Sequence, residues 1–190
     1  MSDRENYTPG SAAGADILRK EGDKWTLTLV RELRHPPAKV WQALTDPAQL
    51  REWAPFDADR DLGSVGTVKL STVGTPTPQV SEATVKRAEG PRVLEYNWGE
   101  QDMKWELEPL ETGTRLTLFH KIDRRFVSMG AAGWHICFDV LDRFLTGDPI
   151  GRIVAGDAIR FGWPRLNAEY AKQFGVEAPR WPPTADGKGA

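Results

Sequence analysis

The chain predicts an α+β domain in which an antiparallel sheet has one face covered by helices. Three observations carry this. Segments with a period of two fill the middle of the chain, the turns between them are too short for crossover helices, and two stretches of helical period close it.

The first element is WTLTLVREL, where Trp25, Leu27 and Leu29 alternate with Thr26, Thr28 and Val30, the pattern of a half-buried strand. HPPAKVWQALTDPAQLREW follows. Pro36 and Pro37 suit a helix entry, Val40, Trp41 and Leu44 share a helical face, and Asp46-Pro47 breaks the run before a second short helix bearing Leu50 and Trp53. GTVKLSTV, QVSEATVKRA, RVLEYNW, MKWELEPL and TRLTLFHKI are the next strands, with Gly74, Gly90-Pro91, Gly99 and Gly113 among the turn residues. Helices are expected over 128–145 and about 158–174, separated by a break at 147–156 that holds Gly147, Pro149, Gly151 and Gly156. Residues 1–22 and 176–190 are rich in small, polar, Gly and Pro residues and read as loose tails, which leaves 23–175 as the folded unit.

At 190 residues the chain supports one domain with a sizeable core. Its 25 basic and 27 acidic residues give a net charge of -2, so charge offers no general attraction to nucleic acid or anionic lipid. Without a signal-like start or an apolar run near the roughly 18 residues of a membrane span, a cytoplasmic protein is expected. The single cysteine, Cys137, excludes an internal disulfide, and His35, His120 and His135 sit on separate elements, so neither a metal nor another cofactor is expected. The eight tryptophans suit either a core or a wide pocket.

GWHICFDVLDRFLTG, residues 133–147, places a histidine, a cysteine and two aspartates inside an apolar helical run. At 100° per residue Trp134, Cys137, Phe138, Leu141, Phe144 and Leu145 fall on one side, and His135, Asp139, Asp142 and Arg143 on the other. The second set reads as a solvent face, with His135 and Asp139 four apart in a weak surface pair. Cys137 reads as a small hydrophobe, since no neighbouring base is apparent.

His120 is different, because in TRLTLFHKI it shares parity with Leu116, Leu118 and Ile122 and so faces the covered side of the sheet. There it needs a hydrogen-bond partner. Parity also turns Tyr96 and Trp98 inward from one strand, and Trp105 from the next. Together with a helix carrying Trp134, these aromatics enclose either a solid core or a cavity. Other chemical motifs fail: GSVGTVK lacks the phosphate-loop spacing, no GxGxxG or GxSxG occurs, and Asp57, Asp59 and Asp61 lack the remaining ligands of a calcium loop.

VWQALTDPAQLREW, RVLEYNW, WELEPLETGTRLTLFH, AAGWHICFDVLDRFLTG and GWPRLNAEYAKQFG, taken together, resemble the START-like (SRPBCC) superfamily, in the branch named for the C-terminal domain of the activator of Hsp90 ATPase. The resemblance covers nearly all of residues 24–175. It implies a helix-grip fold, a curved antiparallel sheet around a C-terminal helix with a cavity between them, in which apolar molecules bind. Some members of the wider superfamily are polyketide cyclases and aromatases. The branch transfers no catalytic motif, and the final helix here is broken.

Three functions follow as expectations. The first is non-enzymatic binding of a small apolar or aromatic molecule. Trp53 and Phe56 would stand at the mouth, Tyr96, Trp98, Trp105, Leu118 and His120 would line the sheet side, and Trp134, Phe138 and Leu141 the helix side. The second is a cyclase or dehydratase with His120 and Tyr96 as acid and base. The third is a structural or protein-interaction domain with a filled core. Nucleic acid and membrane are not expected partners, and a homodimer is compatible with all three.

Overall fold

A computed structural model describes residues 3–20 and 22–180. Eight strands form one sheet in the order β1-β2-β8-β7-β6-β5-β4-β3, every neighbour antiparallel. They are β1 (Ala15–Leu18), β2 (Lys24–Leu33), β3 (Phe56–Ala58), β4 (Gly66–Thr72), β5 (Gln79–Glu89), β6 (Val93–Trp98), β7 (Gln101–Leu110) and β8 (Gly113–Asp123). Between β2 and β3 run α1 (Pro37–Thr45) and α2 (Pro47–Trp53); after β8 come α3 (Val127–Thr146), α4 (Gly156–Arg160) and α5 (Trp163–Phe174). The expected α+β helix-grip architecture is the one observed.

Parity fixes the inner face of the sheet. Leu116, Leu118, His120 and Ile122 of β8, Met103, Trp105 and Leu107 of β7, and Leu94 and Tyr96 of β6 are all buried, as alternation requires. At α2, the Asp46 side chain accepts from the Ala48 amide at 2.9 Å, capping the helix that Pro47 begins. Gly147, at φ 89, ends α3 in the left-handed conformation, with its N–H directed to Arg143 and Phe144 carbonyls.

Two expectations change. Residues 1–22 are not a loose tail over their described length. β1 pairs with β2, Tyr7 donates to Asp139 at 2.6 Å, and Arg4 Nη1 donates to the carbonyls of Ile150, Gly151 and Arg152 at 3.1, 3.0 and 2.9 Å. A four-residue strand in polar sequence carries too short an alternation to stand out. At the other end, the expected tail lies largely outside the described residues, although Asn167 Nδ2 donates to Pro179 O at 2.8 Å.

The second correction concerns α3. His135 is buried rather than solvent-facing, because α5 and the N-terminal segment cover that side of α3, and Asp142, 3.5 Å from His35, is half-buried. His135 Nδ1 lies 2.7 Å from Tyr170 Oη, and its Nε2 lies 3.7 Å from Asp139. Asp139 also binds Arg31 at 2.6 Å, so a charged side chain on the inner face of β2 is neutralised across the helix. Burial pushes the His135 pKa down, against the pull of Asp139.

Candidate functional site

The space between the sheet and α3 is divided in two. At one end it is solid. Trp53 donates from Nε1 to Ala43 O at 2.9 Å and meets Trp105 edge-on with centroids 6.0 Å apart. Trp105 in turn donates to Tyr96 Oη at 3.2 Å and packs on Phe138 at 6.0 Å. Phe56 closes on Tyr96 at 6.2 Å, while Leu118 and Leu141 are fully buried. These seven residues, which parity and helical phase bring to the right face, form interdigitated core and no part of the cavity wall. Trp53 and Phe56 in particular lie beneath the surface, not at a mouth, because the α1–α2 corner draws the Trp53 indole inward.

At the other end a cavity of about 470 Å³ opens. Three of the ten residues expected from sequence line it: Trp98, His120 and Trp134. Gln101 and Ile122 complete its sheet wall, and Met129, Gly130, Gly133 and Cys137 its helix wall. Thr72, Val73 and Thr75 approach from the end of β4, facing Ile153, Val154 and Ala155 from the chain between α3 and α4. Among the described residues, no Asp, Glu, Lys or Arg belongs to the lining.

The void has a local cause. A Cβ placed on Gly133 meets no atom within 4 Å, and one on Gly130 meets Ile122 at 3.1 Å and Leu27 at 3.3 Å. Glycine inside a helix costs about 1 kcal/mol relative to alanine, so α3 keeps its bare face where the cavity lies at the expense of its own stability. Sequence periodicity treats glycine as neutral and does not register it.

Polar groups are few and committed to one another. Trp134 Nε1 donates to His120 Nδ1 at 3.0 Å, and His120 Nε2 stands 2.6 Å from Gln101 Oε1. Desolvation lowers the His120 pKa to about 4, so the ring is neutral at physiological pH. Trp98 stacks beside it, with centroids 6.3 Å apart and planes 26° from parallel, and donates to Thr72 Oγ1 at 3.0 Å. Burial pushes the Cys137 thiol up to about 12, which suppresses the thiolate a nucleophile needs. Tyr96 and His120 share a cross-strand row through Met103, about 10 Å apart at two strand spacings. The structure does not assemble them into an acid-base pair.

The mouth is held by contacts from both ends of the chain. Arg4 grips three successive carbonyls at 150–152, and Arg152 reaches Arg51 O and Asp57 at 2.6 Å each. Ala155 adopts φ 49, a conformation disfavoured for a residue with a Cβ. A Cβ on Gly74 would stand 2.9 Å from that of Ala155, so only glycine lets the two loops meet this closely.

Among the described residues no cluster of three His, Cys, Asp or Glu side chains could hold a metal ion, and no helix is long and apolar enough to cross a membrane.

Solved structures share the fold. A conserved protein of unknown function from Enterococcus faecalis superposes with a TM-score of 0.64 at 16% identity, covering 84% of this chain and 89% of the other. CalU16 from Micromonospora echinospora gives a TM-score of 0.59 at 22% identity, with 84% and 98% covered. An AHSA1-like protein from Aeromonas hydrophila gives 0.55 at 16% identity, with 64% and 92% covered. No curated protein matches the chain. Identities this low carry the architecture and leave function to the site. At the level of sequence, the profile described as activator of Hsp90 ATPase homolog 1-like protein matches residues 34–146, more than half the chain and spanning α1 through α3. The chain belongs to the activator of Hsp90 ATPase homolog 1-like family, within the START-like superfamily.

Proposed function

We propose that the protein binds a small apolar or aromatic molecule in the cavity between the sheet and the N-terminal half of α3, without transforming it. One observation carries this reading: a space of about 470 Å³, walled by aromatic and aliphatic side chains and by helical glycine, with no charged side chain among the described residues of its lining. That volume falls in the range of small-molecule sites, and a few convergent polar groups amid apolar walls are what such sites use to orient a ligand. Trp98, Trp134 and His120 supply the flat walls and the polar edge.

Catalysis draws no comparable support. His120 spends both ring nitrogens on protein partners, Cys137 keeps its proton, and the Tyr96 hydroxyl accepts from Trp105 outside the lining.

The test fills the cavity from the helix side. Nile red, a neutral apolar fluorophore, is titrated against wild type and Gly133→Leu, and circular dichroism checks that the variant is folded. Saturable binding by wild type, weakened at least tenfold in the variant, is the expected result. Equal binding by both, or none by wild type, removes the cavity as a binding site.

A further inference from the structure

The polar groups of the cavity form a chain with a direction. An indole N–H can only donate, so the His120 nitrogen 3.0 Å from Trp134 Nε1 is an acceptor. The neutral ring therefore carries its proton on the other nitrogen and donates it over 2.6 Å to Gln101 Oε1. The tautomer follows from donor chemistry alone. With its oxygen committed, Gln101, which lines the cavity, is left with two amide hydrogens on Nε2 that make no hydrogen bond among the described residues. The two hydroxyls of the lining are engaged elsewhere, Thr72 Oγ1 by Trp98 Nε1 at 3.0 Å and Thr75 Oγ1 with Thr77 O at 2.8 Å, and neither is bonded to Gln101.

We propose that the ligand is an uncharged, flat, apolar molecule bearing a hydrogen-bond acceptor oxygen, a carbonyl or an ether, and that Gln101 Nε2 donates to it. The proposal rests on the reading of the cavity as a binding site. A flat body suits the walls, because Trp98 and Trp134, packed edge to face on each other with centroids 6.2 Å apart, both border the cavity with aromatic surface. Neutrality follows from the lining, which among the described residues has no basic side chain to compensate a buried anion and no acidic one for a cation. The need for an acceptor follows from the relay. A ligand without one leaves the Gln101 amide dry and unpaired when it enters, whereas a carbonyl oxygen ends the chain in a bond.

Trp134 fixes His120, and His120 fixes the orientation of Gln101. Gln101 is thus the residue that selects, and His120 is a positioning residue acting through it.

Three probes of one shape separate the possibilities: 2-acetylnaphthalene, 2-ethylnaphthalene and 2-naphthoate, titrated by quenching of tryptophan fluorescence near neutral pH. Wild type binds the ketone roughly tenfold tighter than the hydrocarbon, the worth of one well-made hydrogen bond, and binds the carboxylate most weakly. In Gln101→Met the ketone falls to the level of the hydrocarbon, whose own affinity changes far less, because the hydrocarbon makes no bond to Nε2; the variant also removes the Oε1 acceptor of His120, which bears on both probes alike. Equal binding of ketone and hydrocarbon by wild type overturns the acceptor requirement and leaves the cavity reading intact. Carboxylate binding as tight as the ketone's overturns neutrality. Binding of none of the three overturns the cavity reading itself. The wild-type comparison decides the matter even if the variant does not fold.

Discussion

The two ends of the space beneath α3 use the same helix and the same sheet, yet one is full and the other hollow. At the full end, Phe138 and Leu141 on the helix meet Trp105 and Leu118 on the sheet, with Trp53 driven in from the side. At the hollow end, the helix presents Gly130 and Gly133 to Ile122, Gln101 and His120. The backbone separation is set by the full end, where rings act as spacers. The bare turn of helix then leaves a gap that its own side chains do not fill. A cavity in this fold is made by omission on one helical turn, and the packing beside it keeps the gap from collapsing.

Breaking the spacer should have the largest effect. Trp105→Ala removes a fully buried indole and leaves the Tyr96 hydroxyl without its donor. A loss of about 3–5 kcal/mol is expected in denaturant unfolding, the range for large aromatic truncation in a packed core. A loss under 1 kcal/mol would show that this end is not the rigid half.

Acid should act next, through His120 at the boundary. Its folded pKa of about 4 lies below the ordinary histidine value of 6.5, so the unfolded chain takes up a proton that the folded one refuses. The contribution is fully present above pH 6.5 and is lost as pH falls toward 4, by about 3 kcal/mol in all. His135, also depressed by burial, pulls in the same direction. Unfolding free energies measured across this window should fall more steeply for wild type than for His120→Asn. Identical slopes would place the His120 ring in contact with water.

The smallest effect separates the two glycines. Gly133→Ala adds a methyl group into open space and should stabilise by about 1 kcal/mol through helix propensity. Gly130→Ala brings its methyl group within 3.1 Å of Ile122 and should gain less or nothing. Thermal unfolding of the two single variants gives the comparison directly, and a larger gain at Gly130 would contradict the open face assigned to Gly133.

Period-two alternation identified six of the eight strands and placed His120, Tyr96, Trp98 and Trp105 on the inner face, because side chains on a strand have only two directions to choose from. It missed β1 and β3, of four and three residues, which are too short to show a period. Helical phase placed Trp134, Phe138 and Leu141 correctly toward the sheet. It failed for His135, because one amphipathic helix can be covered on its polar side by partners remote in sequence. The site was legible only as a face. Which of the inward aromatics line open space depends on what is absent opposite them, and neither Gly133 nor the amide of Gln101 announces itself by hydrophobicity.

Arg4 reaches carbonyls 146 to 148 residues away. Contacts this remote in sequence pay the largest loop-closure entropy and tend to be made late in folding. Synthesis runs from N- to C-terminus, so Arg4 is made before the strip it fastens, which appears only after the whole sheet and α3 have been synthesised. Until then the tryptophan-lined interior lacks the wall that Ile153, Val154 and Ala155 supply, so the order of synthesis sets closure of the cavity after formation of the sheet and α3.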